Sequence, residues 1–292
     1  MSDDEIQYKY GLELYREKEY QKALDTFQKL LHTEMVDDAR VWFMAGISAY
    51  NLEKYVDALM LFNKAILLNP KHADAHLFKA WTLHINNQEE DALISVVRAF
   101  EIEETHAALF LESEILYNLE EYEATLEILQ TLLENTENTD EYTQYLNKIA
   151  ITQNTQENTV DAENTIKEAL TIKPDDSELL YTLANIQKTQ NKQDEALKTL
   201  NNILKIDSEW ITPQITIAQI QIGQEEPLKA IKTLNNILKI DSERDDAWYL
   251  LALIHYYEME LESALSAIET AIEINFGVTE YEILEKAIKK EL

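Results

Sequence analysis

Three histidines lie close together in the sequence and are the residues best suited to bind a metal ion. His72 and His76 are four residues apart, and His84 follows eight residues later. Two histidines at the first spacing can share a metal when both lie on one face of a helix. However, His72 falls in the turn that follows Pro70, His76 takes a packing position, and the pattern fixes no carboxylate beside them. We therefore predict that the chain has no metal site.

Other forms of catalytic chemistry have even less support in the sequence. The chain has no cysteine, which excludes a disulfide scaffold, a cysteine zinc site and thiol chemistry. Its four glycines cannot form a phosphate-binding loop, and no G-x-S-x-G nucleophile motif occurs. Pairs of glutamates suited to acid–base catalysis occur throughout so acidic a chain and carry no signal. We expect no enzymatic activity and no cofactor.

The charge of the chain argues against nucleic acid as a partner. The formal net charge is −30, whereas binding to phosphates requires clusters of Lys and Arg. No Lys or Arg occurs between Ala99 and Asn147. That stretch contains these acidic residues: Glu101, Glu103, Glu104, Glu112, Glu114, Glu120, Glu121, Glu123, Glu127, Glu134, Glu137, Asp140 and Glu141. The acidic run is interpreted either as a solvated face that aids solubility or as a surface that steers a basic partner.

The sequence has no feature of a membrane or secreted protein. It begins Met-Ser-Asp-Asp-Glu, unlike a signal peptide, which has a basic start and an apolar run. No apolar run approaches the length of a transmembrane helix, and no N-x-S/T pattern occurs. We therefore expect a cytoplasmic protein that does not bind membranes.

A stretch of twelve residues occurs twice and shows how the chain is organised. KTLNNILKIDSE spans Lys198–Glu209 and again Lys232–Glu243, 34 residues later. A repeat of this length is typical of stacked supersecondary units. In each interval a small residue recurs at Ala23, Ala58, Ala92, Thr125, Ala162, Ala196, Ala230 and Ala264. A larger apolar residue follows four positions later in each: Phe27, Phe62, Val96, Leu129, Ile166, Leu200, Leu234 and Ile268.

These positions resemble the tetratricopeptide repeat. The second repeat carries the fullest match, with Trp42, Ala45, Gly46, Tyr50, Tyr55, Ala58, Phe62, Ala65 and Pro70. The resemblance implies an all-α fold, a right-handed superhelical solenoid of eight helix-turn-helix repeats with a C-terminal capping helix at 277–292. We place the repeats at about 4–38, 39–72, 73–105, 106–142, 143–176, 177–210, 211–244 and 245–276. In such a fold the first helix of each repeat lines the concave side.

Helix ends can be predicted from capping and proline signals. Ser2 with Glu5, and Thr279 with Glu282, have the spacing of capping boxes. Thr212 and Pro213 fit the N-cap and first position of one helix, and Pro227 fits the start of another.

Two further segments leave alternatives open. The 37-residue interval between the fourth and fifth repeats predicts a longer turn around 135–140, or else a hinge between two four-repeat lobes. The residues after Gly277 form one apolar face, with Tyr281, Ile283, Leu284, Ala287 and Ile288. We expect this helix to cap the solenoid, with dimerisation as the alternative.

The resemblance implies that certain first-helix residues form a peptide-binding groove. In the first four repeats these are Tyr8, Leu12, Tyr15, Phe43, Ile47, Tyr50, Leu77, Trp81, Phe110 and Tyr117. The alternative is that tight curvature brings these side chains together as core. In the fifth and sixth repeats, amides replace them at Asn147, Asn154 and Asn185, where they could bond the backbone of an extended peptide. A general asparagine bias of the chain is the alternative for these three.

The predicted function is therefore a non-catalytic scaffold for protein interactions. We expect the groove to bind a peptide or helix of a partner protein, with basic flanks favoured by the acidic surface. The Lys and Arg pair with which some family members hold a terminal carboxylate is missing from the first three repeats. The alternative is an architectural subunit that assembles a complex through its convex face or C-terminal helix. In isolation we expect a monomer or a weak homodimer.

Overall fold

The computed structural model describes residues 2–292, which form two compact bodies. The N-terminal body extends to Thr152 and the C-terminal body begins at Gln153. Across the described residues the regular structure consists of α-helices and one 3-10 helix at Glu34–Asp37, without a β-strand. The all-α prediction is thus confirmed. Among residues 2–292, no helix is both long enough and apolar enough to cross a membrane.

The N-terminal body consists of paired antiparallel helices, and each of the first seven packs against the next along the chain. Its helices are α1 (Asp3–Arg16), α2 (Tyr20–Leu30), α3 (Ala39–Asn51), α4 (Tyr55–Leu68), α5 (Ala73–Ile85), α6 (Glu89–Ile102), α7 (His106–Asn118), α8 (Tyr122–Asn135) and α9 (Thr139–Thr155, whose last turn belongs to the C-terminal body). First helices also contact the first helices of neighbouring repeats, since α1 touches α3, α3 touches α5, and α5 touches α7.

The C-terminal body repeats the same plan. Its helices are α10 (Thr159–Ile172), α11 (Ser177–Thr189), α12 (Gln193–Ile206), α13 (Ile211–Gly223), α14 (Pro227–Ile240), α15 (Asp245–Tyr257), α16 (Leu261–Ile274) and α17 (Thr279–Glu291). The final helix packs on α16 and contacts α15. It buries Tyr281, Leu284 and Ile288, whereas Ile283, which we expected on the same apolar face, is exposed.

The core of each repeat lies where the sequence register predicts it. All eight small residues are fully buried, and so is the larger apolar residue four positions after each of them. In the first two repeats the glycine of the first helix lies directly against a phenylalanine ring of the second. A Cβ atom built on Gly46 would lie 2.5 Å from a ring carbon of Phe62, and one on Gly11 would lie 2.7 Å from Phe27. Glycine is therefore needed wherever phenylalanine fills the facing position.

A residue in the left-handed conformation ends the first helix of every repeat. These residues are Lys18, Glu53, Asn87, Glu120, Glu157, Asn191, Glu225 and Met259, and none is glycine. The next N–H of the chain bonds back to a carbonyl oxygen in the helix, as in the bond from Lys54 to Ala49 at 3.0 Å. This is the Schellman arrangement, which satisfies helix-end carbonyl groups and turns the chain into the second helix.

Side-chain caps begin several first helices, and not all of them were predicted correctly. Ser2 accepts a hydrogen bond from the Glu5 N–H at 3.2 Å, as expected. The second capping box is wrong, because Val278 is the N-cap of α17 and Thr279 lies inside the helix. Thr212 is not an N-cap either. Helix α13 begins earlier, after Trp210, although Pro213 still falls in its first turn.

The extra residues between the fourth and fifth repeats lengthen a helix rather than a turn. Only residues 136–138 separate α8 from α9, while α9 has 17 residues and α11 has 13. The Asn138 side chain accepts a bond from the Asp140 N–H at 2.9 Å, which allows α9 to begin early. The expected longer turn is therefore wrong, and the hinge near 135–140 stays a prediction. Pro227 begins α14, as predicted.

Candidate interaction surface

The predicted groove residues of the N-terminal body lie on one face of each first helix and are mostly half-buried. Tyr8, Leu12 and Tyr15 follow this pattern on α1, where the helical spacing brings them onto one face. The Tyr8 ring lies 5.8 Å from the Phe27 ring, and the Arg40 guanidinium lies 5.4 Å above it. The Tyr8 ring thus packs on the core and is still partly exposed.

The next two repeats are joined by an aromatic cluster. The Phe43 ring lies 6.1 Å from Phe62 in the core and 5.7 Å from Phe78 on α5. Tyr50 meets the same Phe78 ring edge-on at 5.9 Å, while Ile47 is buried between the helices. Phe78 was missed in the sequence because it lies one position outside the assumed groove pattern. Its aromatic type, adjacent to Leu77, was the available signal.

A hydrogen-bonded group lies beside Trp81. The Trp81 ring is 6.2 Å from the His84 ring, whose Nδ1 bonds the Glu89 carboxylate at 2.7 Å. The other oxygen of Glu89 accepts a bond from Asn118 of the following repeat at 2.7 Å. This network fixes the end of α5 relative to α7. Leu77 and Phe110 are half-buried on the same helices.

One lysine changes the local charge of this acidic face. Lys148, the first basic residue after the acidic run, forms an ion pair with Glu114 at 2.9 Å. Its ammonium also lies 4.2 Å from the centre of the Tyr117 ring, a cation–π contact. Phe110 contacts Tyr145 nearby at 5.5 Å. Sequence reasoning missed Lys148 because it considered the acids alone.

Burial alters the titration of several groups on this face. Desolvation raises the pKa of Tyr8, Tyr15 and Tyr50, so their hydroxyl groups stay protonated near neutral pH. The Tyr15 hydroxyl oxygen accepts a bond from Asn51 of the next repeat at 3.1 Å. Burial also raises the pKa of Glu112. These tyrosines therefore offer apolar rings with neutral hydroxyl groups.

The three predicted amide positions have different surroundings. Asn147 and Asn154 on α9 are half-buried, and the side-chain oxygen of each is buried without a hydrogen-bond partner. The Asn154 amide nitrogen lies 3.4 Å from Thr189 of the following repeat. Asn185 is half-buried on α11. Their role in binding a peptide backbone stays a prediction.

The histidines do not assemble into a metal centre. His72 caps α5 by accepting a bond from the Ala75 N–H at 3.3 Å, and its ring packs on Phe43 at 4.6 Å. His76 bonds the Pro70 carbonyl oxygen at 3.2 Å. Burial lowers the pKa of both rings. Within residues 2–292 no group of three His, Asp or Glu side chains is placed to hold a metal ion.

In the C-terminal body, first-helix tyrosines of the sixth and eighth repeats contact neighbouring helices. The Tyr181 hydroxyl lies 3.1 Å from the Thr216 hydroxyl, and the Tyr181 ring contacts Trp210. Tyr249 stacks on Tyr281 of α17 at 4.9 Å. The Tyr256 hydroxyl donates to Glu291 at 2.8 Å. These contacts join neighbouring repeats and fix the final helix, α17, against α15.

Comparison with known sequences identifies the same repeat family in two parts of the chain. Two models of the tetratricopeptide repeat match the chain, one over residues 43–103 and the other over residues 155–220. A search of curated proteins finds no significant match.

Solved structures with the same fold cover most of the chain. A tetratricopeptide repeat protein from Parabacteroides merdae has a TM-score of 0.71 at 16% identity, covering 86% of this chain and 98% of that one. Yeast Tom70 has a TM-score of 0.72 at 18% identity, covering 99% of this chain and 65% of that one. A chain of the APC/C hetero-tetramer Cut9–Hcn1 has a TM-score of 0.62 at 13% identity, covering 92% of this chain and 52% of that one. This chain thus spans less than two thirds of Tom70 and about half of the matched chain of the Cut9–Hcn1 complex, and at these identities the matches show a shared fold.

Proposed function

Because this chain belongs to the tetratricopeptide repeat family, we propose that it is a non-catalytic scaffold for protein interactions. In our proposal, the first helices of the N-terminal body bind a peptide or a helix of a partner protein. The observation that carries this proposal is the face formed by Tyr8, Leu12, Tyr15, Phe43, Tyr50, Leu77, Trp81, Phe110 and Tyr117. Their side chains are apolar, held by the core and still partly exposed.

The physical properties of this face suit a binding surface. Aromatic rings held in place by neighbours lose little rotamer entropy when a partner covers them, and Tyr and Trp are enriched among hot spots. Phe43 and Tyr50 are fixed by Phe78, and Trp81 is fixed beside His84. A partner would therefore meet a preorganised surface.

Charge favours a partner with basic residues beside its apolar anchors. The helices α7 and α8 carry many carboxylates, and Lys148 forms its ion pair with one of them, Glu114. Opposite charges speed encounter and fix orientation more than they increase affinity. Binding should accordingly weaken with salt mainly through a slower association rate.

The direct test is a Phe43→Ala/Trp81→Ala variant. Partners would be identified from native extract by cross-linking and mass spectrometry, and the binding segment would be made as a synthetic peptide. Titration calorimetry with that peptide should show an affinity loss of at least tenfold in the variant, about 1.4 kcal/mol. Circular dichroism should show unchanged helix content.

A Tyr10→Ala variant is the matched control, because Tyr10 is an exposed aromatic residue on α1 outside the proposed face. Its affinity should equal that of the wild type. Undiminished binding by Phe43→Ala/Trp81→Ala would place the binding site elsewhere on the protein.

An architectural role through the outer face is the second candidate. On α4, Val56, Met60 and Leu67 are exposed at spacings that place them along one side of the helix. Large exposed apolar patches mark protein interaction sites. For this role, light scattering should show concentration-dependent association that a Met60→Lys/Leu67→Lys variant abolishes. Ile283 is exposed on α17, so Ile283→Lys tests assembly through this helix without changing the residues that pack it on the rest of the body.

A further inference from the structure

The turn between the two helices of the eighth repeat is made by an unusual residue. Met259 has φ of 62°, in the left-handed region that long apolar side chains rarely adopt. The seven equivalent residues in the other repeats are Lys, Glu or Asn, which are polar. Met259 is also 67% exposed, so no packing in the core accounts for an apolar residue there. An outlier of this kind calls for a functional explanation.

Two other exposed apolar side chains lie at the same edge of the C-terminal body. Leu228, the second residue of α14, is 82% exposed, and Tyr257, the last residue of α15, is 72% exposed. Tyr257 lines a depression, and Leu228 and Met259 directly follow two of its other lining residues, Pro227 and Glu258, in the chain. This depression is lined by Ile222, Glu225, Pro227, Ile254, Tyr257 and Glu258. We call these residues, together with Leu228 and Met259, the turn edge.

The preceding repeat provides an internal comparison. At positions 34 residues earlier, Leu228 corresponds to Asp194, Tyr257 to Gly223, and Met259 to Glu225. The second helices of the sixth and seventh repeats share the twelve-residue identity, yet they differ at this edge. An apolar edge is therefore not required by the repeat fold.

The charges around the depression define what can dock there. Glu225 and Glu258 line it and are exposed, and no Lys or Arg is among its lining residues. Lys229, the nearest basic residue along α14, is paired with Glu226 at 2.7 Å. A ligand with an apolar side chain and adjacent positive charges would match both properties.

We propose that the turn edge is a second docking surface, which binds a short peptide segment of a partner carrying one large apolar side chain flanked by Lys or Arg. It is distinct from the first-helix face of the N-terminal body. In this arrangement the apolar side chain enters the depression between Pro227 and Tyr257. Leu228 and Met259 cover its sides, and Glu225 and Glu258 meet the basic flanks.

Short fluorescein-labelled peptides with a central Phe flanked by lysines test the proposal with the full chain. Anisotropy titrations should show binding that weakens when the lysines become Ser or Glu, or when the Phe becomes Ala. Leu228→Ser and Met259→Asn should each reduce affinity about tenfold. Peptides with a photoreactive group on the Phe should cross-link to residues 225–228 or 257–259.

The variants are chosen so that misfolding cannot explain the result. Asn tolerates the left-handed conformation better than Met. The melting temperature of Met259→Asn should therefore equal or exceed that of the wild type, while its affinity for the peptide falls. Val160→Ser is the matched control. Val160 is likewise the second residue of its helix and is exposed, but it belongs to the fifth repeat. It should bind as the wild type does.

Several outcomes would overturn the proposal. One is that the lysine-flanked peptides fail to bind, and another is that the glutamate-flanked peptides bind as tightly as they do. The third such outcome is that Leu228→Ser and Met259→Asn bind the peptide as tightly as the wild type. Phe43→Ala/Trp81→Ala should leave the cross-links to residues 225–228 and 257–259 unchanged, even if it removes peptide bound at the first-helix face. If that variant alone lost the peptide, the proposed function would stand and the second surface would not.

Discussion

Gln187 and Thr199 form a buried hydrogen bond that ties the first helix of the sixth repeat to its second helix. The Thr199 hydroxyl donates to the Gln187 side-chain oxygen at 2.8 Å. The same bond joins Gln153 with Thr165, and Gln221 with Thr233, at 2.9 Å. The corresponding pair in the second repeat is Ala49 and Leu61, which are both apolar and buried. The fifth, sixth and seventh repeats therefore share this side-chain hydrogen bond, which we call the polar lock, where the second repeat uses apolar packing.

The polar lock predicts a non-additive pair of substitutions. Thr199→Val keeps the side-chain shape but leaves the Gln187 oxygen buried and unpaired, which should lower the free energy of unfolding by about 1–3 kcal/mol. Gln187→Leu/Thr199→Val should cost less than Thr199→Val alone, because no polar group is then stranded. Urea denaturation measures both. Thr270→Val is the control, since Thr270 is half-buried and its hydroxyl donates to the Ser266 carbonyl oxygen within its own helix at 2.9 Å. Equal losses in the single and double variants would refute the lock.

The close contact between Gly46 and Phe62 predicts a second pair of substitutions whose effects on stability are not additive. A Cβ at position 46 would lie 2.5 Å from the Phe62 ring, so Gly46→Ala should destabilise the protein by about 1–3 kcal/mol through overpacking. Adding Phe62→Leu should recover much of this loss. The sixth repeat already pairs Ala184 with Leu200 at the same positions. Thermal denaturation of the four proteins in this cycle measures the coupling.

Gly223→Ala is the matched control for this cycle. A Cβ added at position 223 would lie 3.9 Å from its nearest neighbour, a side-chain nitrogen of Gln193, so the methyl group has room. The melting temperature should stay the same or rise, because alanine favours helix over glycine. A larger loss in Gly223→Ala than in Gly46→Ala would contradict the clash with Phe62 as the source of the effect.

Glu163 predicts a loss of stability in acid. Hydrogen bonds from Lys167 at 2.5 Å and Lys192 at 2.7 Å lower the pKa of Glu163 to about 2 from its ordinary 4.5. A carboxylate with a lowered folded-state pKa stabilises the protein above its unfolded pKa. This contribution should be lost as the pH falls from about 4.5 to 2. Melting temperatures across this range should fall less in Glu163→Gln than in the wild type. Glu178→Gln, an exposed change, should keep the wild-type slope.

The contacts of Tyr281 predict how much this residue contributes to packing of the final helix, α17. Its hydroxyl donates to Asp245 at 3.0 Å, and its ring stacks on Tyr249. Tyr281→Phe should cost about 1 kcal/mol, because Asn275 still bonds Asp245 at 2.7 Å. Tyr281→Ala also removes the buried ring and should cost about 3–5 kcal/mol. Hydrogen exchange should then speed up in α15, α16 and α17 first. Uniform acceleration throughout the C-terminal body would argue against a local cap.

The one-dimensional pattern was sufficient to predict the core. The duplicated KTLNNILKIDSE segment set a 34-residue register, and that register identified small residues such as Ala196, together with Leu200 four positions later. Both are fully buried. This succeeds because each repeat contacts mainly its neighbours, so spacing along the chain determines which side chains meet. Once the register is known, the sequence also shows which residues face each other in each repeat. The second repeat pairs Gly46 with Phe62, and the sixth pairs Ala184 with Leu200.

Tertiary structure decided the features that depend on distances between repeats. Phe78 joins Phe43 to Tyr50, Lys148 neutralises Glu114, and Met259 lies at an apolar edge. Capping signals near Thr212 and Thr279 also failed, since α13 begins after Trp210 and α17 begins after Val278. The sequence by itself determined the repeat and its core through local periodicity. Only the fold decided which surface side chains meet, because those contacts join residues about one repeat apart through angles that periodicity does not specify.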